Sequence, residues 1–452
     1  MFHYLKTVWN RFNSGNERTL KVKKNIIASI FLKGCGILIS LLLVPITIGY
    51  VSPELYGVWL TLSSIMTWLA FFDIGFTQGL KNKLTEAIAL EDWNTGKRLV
   101  STTYIMMVVI FIPVCLILQS LVPLINWTSL LNINAIYEND IKSVMSVMIF
   151  FFCLQMILNV IVSVVAAFQK VALSSSFNII GQFLALVLIV ILKKLIPGSL
   201  MTLTLVLSTM PLIVTITATV VLFTGKFKKL SPSFKCFDRQ IVSKIFDLGY
   251  KFFIINMQVV VMYQSTNILI SHLSSPLEVT TYNIAYKYMN ISMMLYTIIT
   301  APLWPAYTDA YIKKDFAWMI GVRKKMVKIL LLSMLLCVVM VAVSNPVYHL
   351  WIGNEVSIPL LMTLLVALYV CIFSWVNLNS TLIVGMGIVK LETIVVMFGM
   401  CLHIPLSLFL GKHVGAYGVL ISMILINLLY ALIFNIQVNK VLNRTAEGIW
   451  IK

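Results

Sequence analysis

Long apolar runs separated by short polar segments make up most of the chain. A membrane-spanning helix needs roughly 20 apolar residues to cross about 30 Å of hydrocarbon. Twelve runs of this kind lie at 26–50, 56–79, 99–122, 143–168, 171–192, 200–224, 248–273, 279–304, 327–350, 357–385, 390–410 and 415–438. The pattern predicts an all-α integral membrane protein with twelve transmembrane helices.

Composition agrees with this class and restricts the chemistry. The chain is 60% hydrophobic and 11% charged, with a mean hydropathy of +0.96, which excludes a soluble globular domain. Its seven cysteines form no CxxC pair, which disfavours disulfides and a zinc site. The longest outer segment, 126–142, offers only the acids Glu138 and Asp140. A membrane polymerase or glycosyltransferase is therefore a weaker alternative, and we predict no enzymatic activity and no cofactor.

The basic residues indicate topology rather than a nucleic-acid partner. The net charge is +18, but the lysines and arginines lie in short segments between the runs, not along one helix face. With the amino terminus inside, 27 of the 34 lie on the cytoplasmic side and four on the other. The positive-inside rule then places both termini in the cytoplasm. Residues 1–24 are predicted to form an interfacial segment, since apolar residues recur there at helical spacing.

The chain divides into two similar halves. The basic segment 225–245 follows the sixth run and predicts a cytoplasmic linker between lobes 25–224 and 246–452. Two parallel repeats of six spans each would enclose a central cavity. A gapless shift of 223 residues sets Ser275-Pro276 on Ser52-Pro53, Thr308-Asp309-Ala310 on Thr85-Glu86-Ala87, Asp315 on Asp92, and Pro346 on Pro123.

Three lysines interrupt the apolar runs, and no arginine does. Lys33, Lys251 and Lys287 each place a cation where insertion costs about 2.5 to 3.5 kcal/mol, so we expect them to face protein or a water-filled cavity. Three cations around one cavity suit a diphosphate, which concentrates negative charge. The alternatives are that Lys33 and Lys251 snorkel to the interface, and that Asp247 neutralises Lys251.

Polar residues form stripes on the same helices. Because a straight helix drifts only about 20° per heptad, residues seven apart share a face. The first helix of each half carries such a series, Lys33, Ser40, Thr47 and Glu54 in one, and Lys251, Gln258, Ser265 and His272 in the other. The predicted polar lining of the cavity is Ser40, Thr47, Gln258, Ser265, Asn283 and Asn290. Alternatively these side chains bond their own backbone or join neighbouring helices.

Coupling to a proton or sodium gradient would need a buried group that titrates or binds an ion. The candidates are Asp73, Glu392 and His403. Asp73 and Glu392 lie near cytoplasmic ends, where a solvated carboxylate is the alternative. No metal centre is predicted.

Three stretches resemble a known pattern: Pro45, Glu54-Leu55-Tyr56-Gly57-Val58-Trp59 and Phe72-Asp73-Ile74-Gly75. They are similar to the amino-terminal pattern of bacterial polysaccharide flippases, the O-antigen and oligosaccharide repeat-unit transporters of the multidrug/oligosaccharidyl-lipid/polysaccharide exporter superfamily. The resemblance implies a MATE-like V of two six-helix lobes that uses alternating access.

The cargo implied by the resemblance is an undecaprenyl-diphosphate-linked oligosaccharide, moved from the cytoplasmic to the outer leaflet of the bacterial inner membrane for lipopolysaccharide biosynthesis. The resemblance also implies cationic residues in the cavity, for which Lys33, Lys251 and Lys287 are the candidates here. Candidate partners are the membrane lipid, a polysaccharide polymerase and chain-length machinery. A cation-coupled multidrug exporter of the same superfamily is the alternative, which the lysines disfavour because a cationic drug calls for acids.

Overall fold

The structure is a computed structural model that describes residues 17–73, 75–168, 170–300 and 303–451. The side chains of 17–30 and 244–260, and a few single ones elsewhere, lie outside that description. Most of the predicted interfacial segment 1–24 is therefore outside the described residues. So are the side chains of Lys251 and Gln258.

Every predicted apolar run lies mainly in helical structure where it is described. The first half contains α1 (Glu17–Val51), α2 (Pro53–Leu69), α3 (Phe76–Ala89), α4 (Trp93–Leu121), α5 (Trp127–Leu131), α6 (Glu138–Leu158), α7 (Val160–Ala167), α8 (Val171–Leu195) and α9 (Leu200–Thr224). The second half contains α10 (Arg239–Leu273), α11 (Pro276–Thr300), α12 (Leu303–Ile312), α13 (Phe316–Ala342), α14 (Ser344–Ile352), α15 (Leu360–Met386), α16 (Lys390–Val414) and α17 (Ala416–Leu442). Short 3-10 helices lie at Ala70–Asp73, Val122–Leu124, Ala135–Tyr137, Lys228–Leu230, Phe234–Cys236 and Gly448–Ile451.

Nine helical segments of the described chain are long and apolar enough to cross a membrane. They are Phe31–Val51, Trp93–Leu124, Ala135–Ala167, Ala172–Leu195, Leu200–Thr224, Phe316–Ala342, Leu360–Met386, Lys390–Val414 and Ala416–Leu442. The three other predicted runs fall in α2, α10 and α11. The all-α, multi-pass membrane class is thus confirmed, and the count of twelve spans stays a prediction.

The second predicted run, 56–79, is two helices rather than one. α2 ends at Leu69, a 3-10 turn follows, and Gly75 adopts the left-handed conformation with φ +77° before α3 begins. Glycine is favoured there because other residues meet a steric penalty from Cβ. The carboxylate of Asp73 accepts hydrogen bonds from the Thr77 backbone N–H at 3.1 Å and its hydroxyl at 2.6 Å, which fixes the first turn of α3.

The two halves repeat the same loop between equivalent helices. Asp92 caps α4 and Asp315 caps α13, each accepting a hydrogen bond from the backbone N–H three residues later, at 2.9 and 3.0 Å. The preceding residues, Glu91 and Lys314, both have left-handed backbones, with φ +55° and +57°. These four residues pair under the 223-residue shift, so an uncommon backbone conformation recurs at the matching position.

Two further pairs agree with the same shift. The hydroxyls of Ser52 and Ser275 accept hydrogen bonds from the backbone N–H three residues later, at 3.2 and 3.3 Å, at the starts of α2 and α11. Thr85 donates to the last carbonyl of α7 at 3.3 Å, and Thr308 donates to a carbonyl in the last turn of α15 at 2.8 Å. Shared caps and interhelical bonds support an internal repeat better than sequence identity alone.

Two compact units organise the described residues. The first draws on Met1–Val51, Leu69–Trp127 and Ile136–Met257, and the second on Ser52–Trp68, Thr128–Ala135 and Gln258–Lys452. α2 therefore packs with helices of the second half, and the boundary between the units falls inside α10. The lobe limits proposed from the sequence stay a prediction.

The segment 225–245 is ordered where it is described, because it folds back onto α4. The hydroxyls of Ser101 and Thr102 accept hydrogen bonds from the backbone N–H groups of Ser233 and Asp238, at 3.1 and 3.0 Å. Arg98 forms an ion pair with the Asp238 carboxylate. Both hydroxyl-bearing side chains are completely buried, so this linker covers polar groups inside a predicted span.

Candidate functional site

Lys287 lies close to the middle of α11. It comes eleven residues after the start of α11, or about 16 Å along a helix of about 37 Å. Its side chain is half-buried. The ammonium nitrogen lies 3.5 Å from the hydroxyl oxygen of Tyr56 on α2, a long hydrogen bond. Tyr56 belongs to the Glu54–Trp59 stretch that resembles the flippase pattern. A residue of that stretch therefore lies beside Lys287.

A chain of polar side chains begins at Asn283, one turn before Lys287, and joins three helices. The amide of Asn283 on α11 donates to the Asn267 side-chain oxygen on α10 at 2.8 Å. The Asn267 amide in turn donates to the Ser64 hydroxyl on α2 at 2.8 Å. Asn267 and Ser64 are buried, so these bonds form where unpaired amides would be costly. The network fixes the positions of α2, α10 and α11 around the lysine.

The Lys287 charge has no carboxylate partner among the described residues. The ion pairs of the described chain are Lys83 with Glu86, Arg98 with Asp238, Lys142 with Glu138, and Lys313 with Asp309. The side-chain oxygen of Asn290, three residues after Lys287, is buried and has no hydrogen-bond partner among the described residues. An uncompensated ammonium beside amide groups suits an anionic ligand that also carries hydroxyl donors.

The other predicted lining residues differ in their surroundings. Lys33 is exposed and Ser40 is half-buried on α1, whereas Thr47 is 2% exposed. Ser265 is also buried, and its hydroxyl donates to the Val261 carbonyl of its own helix at 2.6 Å. Within the second unit the structure brings together Asn283 and Lys287. The binding roles of all the lining residues stay predictions.

Two of the coupling candidates each keep one buried polar atom without a described partner. Glu392 accepts a hydrogen bond from Ser380 on one carboxylate oxygen, and the other oxygen is buried with none. The completely buried His403 ring has one nitrogen 3.3 and 3.4 Å from the hydroxyls of Ser407 and Ser422, and its second nitrogen has no partner among the described residues. Both residues lie on α16 and could take up a proton at that second atom.

Asp73 is different, because hydrogen bonds from Thr77 reach both of its carboxylate oxygens. Over the part of the chain that the structure describes, no three His, Cys, Asp or Glu side chains come close enough together to hold a metal ion.

The structure adds an arginine that the sequence analysis placed outside the spans. Arg323 lies in the candidate span that begins at Phe316, whereas the apolar run was expected to begin at 327. Its guanidinium donates to three asparagine side chains: Asn435 at 2.7 Å, Asn439 at 2.6 Å and Asn379 at 3.2 Å. Arg323 lies four residues before the apolar run of α13 begins, so the expectation that no arginine lies within a span stays a prediction. The asparagines at 435 and 439, four apart on one helix face, were the available signal.

A family of polysaccharide biosynthesis proteins matches residues 22–310 of this chain. A protein of Salmonella typhimurium (strain LT2) described as an O-antigen transporter is 24% identical over 181 residues. That match covers 38% of this chain and 41% of the length of the Salmonella protein. The family match includes α2, the polar network and Lys287.

Solved structures share the fold. An inward-facing structure of a multidrug resistance MATE family transporter of the MOP superfamily aligns with a TM-score of 0.77 at 12% identity, over 91% of this chain and 96% of that one. An outward-facing structure of such a transporter gives 0.59 at 14% identity, over 94% and 97%. At these identities the likeness concerns the fold alone. The chain belongs to the polysaccharide biosynthesis protein family, and its helices follow the fold of the MATE transporters.

Proposed function

We propose that this protein is a flippase for an undecaprenyl-diphosphate-linked oligosaccharide, such as an O-antigen repeat unit. It would carry this lipid from the cytoplasmic to the outer leaflet of the bacterial inner membrane by alternating access, with both termini in the cytoplasm. The family match and the likeness to the Salmonella protein support the substrate class. The observation that carries the proposal is Lys287, a half-buried mid-helix cation without a carboxylate partner in the described chain.

In this mechanism Lys287 binds the diphosphate, which is the part of the substrate least able to enter hydrocarbon. Each hydrogen bond to a charged group contributes about 1.5 to 3 kcal/mol. Lys33 and Lys251 are the proposed further contacts, at positions one heptad before Ser40 and Gln258. The glycan occupies polar space during transfer, while the polyprenyl tail stays in lipid.

The network behind Lys287 has a positioning role. Asn283 lies one helical turn before the lysine, and Asn267 and Ser64 connect it to α10 and α2. These bonds hold Tyr56 and Lys287 on their facing helices, so that the ammonium is placed before substrate arrives. Asn283 and Asn290 are the proposed polar contacts along the same face of α11, one turn to either side of the lysine.

We propose that a proton or sodium gradient drives the cycle through α16. Glu392 and His403 are preferred to Asp73 because each keeps a buried atom without a described hydrogen-bond partner, whereas Thr77 occupies the Asp73 carboxylate. The polysaccharide polymerase and its chain-length machinery are proposed to receive the flipped lipid.

The direct test replaces Lys287 by alanine in a strain deleted for this transporter. We expect surface polysaccharide to fall about tenfold or more and lipid-linked repeat units to accumulate, since 1.5 kcal/mol or more of anion binding is lost. Lys287→Arg should restore part of the activity because it keeps the charge.

Lys194→Ala is the matched control, since it also removes one lysine from a membrane helix, but from an exposed site in the last turn. It should transport at the wild-type level. Immunoblots of membranes confirm equal expression. Full complementation by Lys287→Ala at equal expression would refute the role given to this lysine.

A further inference from the structure

A basic pocket lies in the second unit, away from Lys287. It has a volume of about 660 Å³ and is lined by residues of α13, α15 and α17 and by Asn443, which follows α17. The lining residues that matter here are Arg323, Lys324, Lys328, Trp375, Asn435 and Asn439. Neither α11 nor α2, which carry Lys287 and Tyr56, contributes to it. The function proposed above does not use this pocket.

Arg323 is held in the pocket without being neutralised. Its three hydrogen bonds go to amide oxygens, which fix the guanidinium but carry no net charge. The Nε atom is buried and has no hydrogen-bond partner among the described residues. A rigid, charged guanidinium of this kind is the group that recognises phosphate with directed hydrogen bonds.

Two lysines add to the charge of the pocket. Lys324 and Lys328 are exposed lining residues one turn apart on α13. The lining contains no acidic residue, and none of the three cations forms an ion pair with a described carboxylate. The lining therefore carries three positive charges that attract an anion.

The position of Arg323 along α13 matches the headgroup layer of a membrane. It comes four residues before 327, where the apolar run begins, which is about 6 Å at 1.5 Å per residue. The polar layer on each side of the hydrocarbon is about 5 to 7 Å thick. The positive-inside rule assigns this end of α13 to the cytoplasmic side. A lipid phosphate in that leaflet lies at the same depth.

The first unit shows what covers the equivalent place. The 223-residue shift sets Lys324 on Ser101, whose hydroxyl accepts the backbone N–H of Ser233. There the chain that follows α9 lies over α4. In the second unit the chain that follows α17 is tied back to that helix, with the Trp450 carbonyl accepting from the side chain of Gln437. Arg444 of that chain lies over the Phe316 ring at the start of α13, and Asn443 lines the pocket, which carries lysine where the first unit carries serine.

We propose that this pocket binds the phosphate group of an anionic lipid in the cytoplasmic leaflet. Arg323 would donate to the phosphate oxygens, while Lys324 and Lys328 supply charge at the rim. Two lipids offer this chemistry, a bulk anionic phospholipid and a polyprenyl diphosphate. The acyl or polyprenyl chains would extend along the apolar surface of α13.

The test measures lipid binding to the purified full chain in detergent by native mass spectrometry. The probes are dioleoylphosphatidylglycerol, undecaprenyl diphosphate, inorganic diphosphate, and dioleoylphosphatidylcholine as the zwitterionic comparison. The variant is Lys324→Gln with Lys328→Gln. The control is Lys314→Gln with Lys325→Gln, which removes the same charge from exposed residues that do not line the pocket.

We expect the anionic lipid to bind wild type and control alike, and the pocket variant about 30-fold more weakly. A lysine near a lipid headgroup contributes about 1 kcal/mol to binding, which is about fivefold in affinity. The factors for two lysines multiply. Whichever of the two lipids shows this dependence is identified as the source of the phosphate. Equal weakening in both double variants, equal binding of phosphatidylcholine, or lysine-dependent binding of inorganic diphosphate alone would overturn the proposal.

Discussion

Gly57 lies where two helices of the second unit meet backbone to backbone. A Cβ atom added to this glycine on α2 would stand 1.8 Å from the carbonyl oxygen of Pro276 on α11, and 2.9 Å from the Thr280 hydroxyl oxygen. The Thr280 hydroxyl already donates to the Pro53 carbonyl at 2.6 Å. The replacement Gly57→Ala therefore meets main-chain atoms and a fixed side chain, and no change of rotamer relieves it.

The size of the effect follows from that distance. A carbon–oxygen contact is normally about 3.3 Å, so α2 and α11 must separate by about 1.5 Å at this point. Overpacking of a close-packed interior costs about 1 to 3 kcal/mol and occasionally more, and the entropy gained on replacing a helical glycine offsets about 0.5 to 1 kcal/mol. We expect a net loss of about 2 kcal/mol. Transport should fall too, because Tyr56 moves away from Lys287.

Thermal unfolding of the purified protein, followed by tryptophan fluorescence, checks this prediction. Gly321→Ala is the control, since no heavy atom lies within 4 Å of its added Cβ on α13. We expect Gly321→Ala to melt at or slightly above the wild-type temperature and Gly57→Ala to melt several degrees below it. Equal melting temperatures for the two variants would show that α2 and α11 do not pack as closely as described.

The remaining predictions concern the linker and the repeated caps. Ser101→Ala combined with Thr102→Val should make trypsin cut the 225–245 segment faster, because two backbone N–H groups lose their acceptors; an unchanged cleavage rate would contradict the fold-back. Hydrogen bonds from the side chain and backbone of Thr95 lower the pKa of Asp92 below its ordinary value of 3.8. Its contribution to stability is therefore present above about pH 4 and lost as the pH falls through the lowered pKa, and thermal melts of Asp92→Asn should lack this acid-dependent loss. Asp315→Ala should destabilise α13 by about 1 kcal/mol while Asp315→Asn keeps the cap; equal melts for these two would exclude a capping role.

The class, the repeated caps and the position of Lys287 within an apolar helix could be predicted from the sequence because each depends on local or periodic signals. The length of an apolar run predicts a membrane helix, and caps such as Asp92 and Asp315 act within one turn. Both features can therefore be predicted without knowledge of tertiary contacts. Lys287 was found because a charge inside an apolar run is costly whatever surrounds it. Its contact with Tyr56 and the bond between Asn267 and Ser64 were not predicted, because contacts between helices far apart in sequence leave no periodic trace.

Two features were missed for physical reasons. The break at Gly75 lies inside a run of continuous apolarity, so hydropathy alone cannot show where the backbone turns left-handed. Arg323 was counted as a loop residue because the apolar run begins at 327, whereas the helix begins at Phe316. The first turns of α13 are polar enough to resemble a loop in the sequence. Arg323, with its three hydrogen bonds, lies in those turns.

The internal repeat explains which residues are structural and which are specific to one site. The caps and loop residues occur in both halves, whereas the cations of the two sites, Lys287 and Arg323, do not. The shift of 223 residues sets Lys287 on Ser64, Asn283 on Leu60, and Arg323 on Val100. Ser64 itself belongs to the second unit, where it ends the asparagine chain.

A single anionic headgroup has no twofold symmetry, so one copy of its cationic partners is sufficient. Duplication therefore preserves positions that shape the helices and releases the rest to diverge. In a duplicated membrane protein, matched positions identify the scaffold, and charged positions that match apolar or small residues are where binding chemistry should be sought. Lys287 and Arg323 both meet that criterion. The Lys287→Ala variant and the double variant at Lys324 and Lys328 test the criterion at two independent sites.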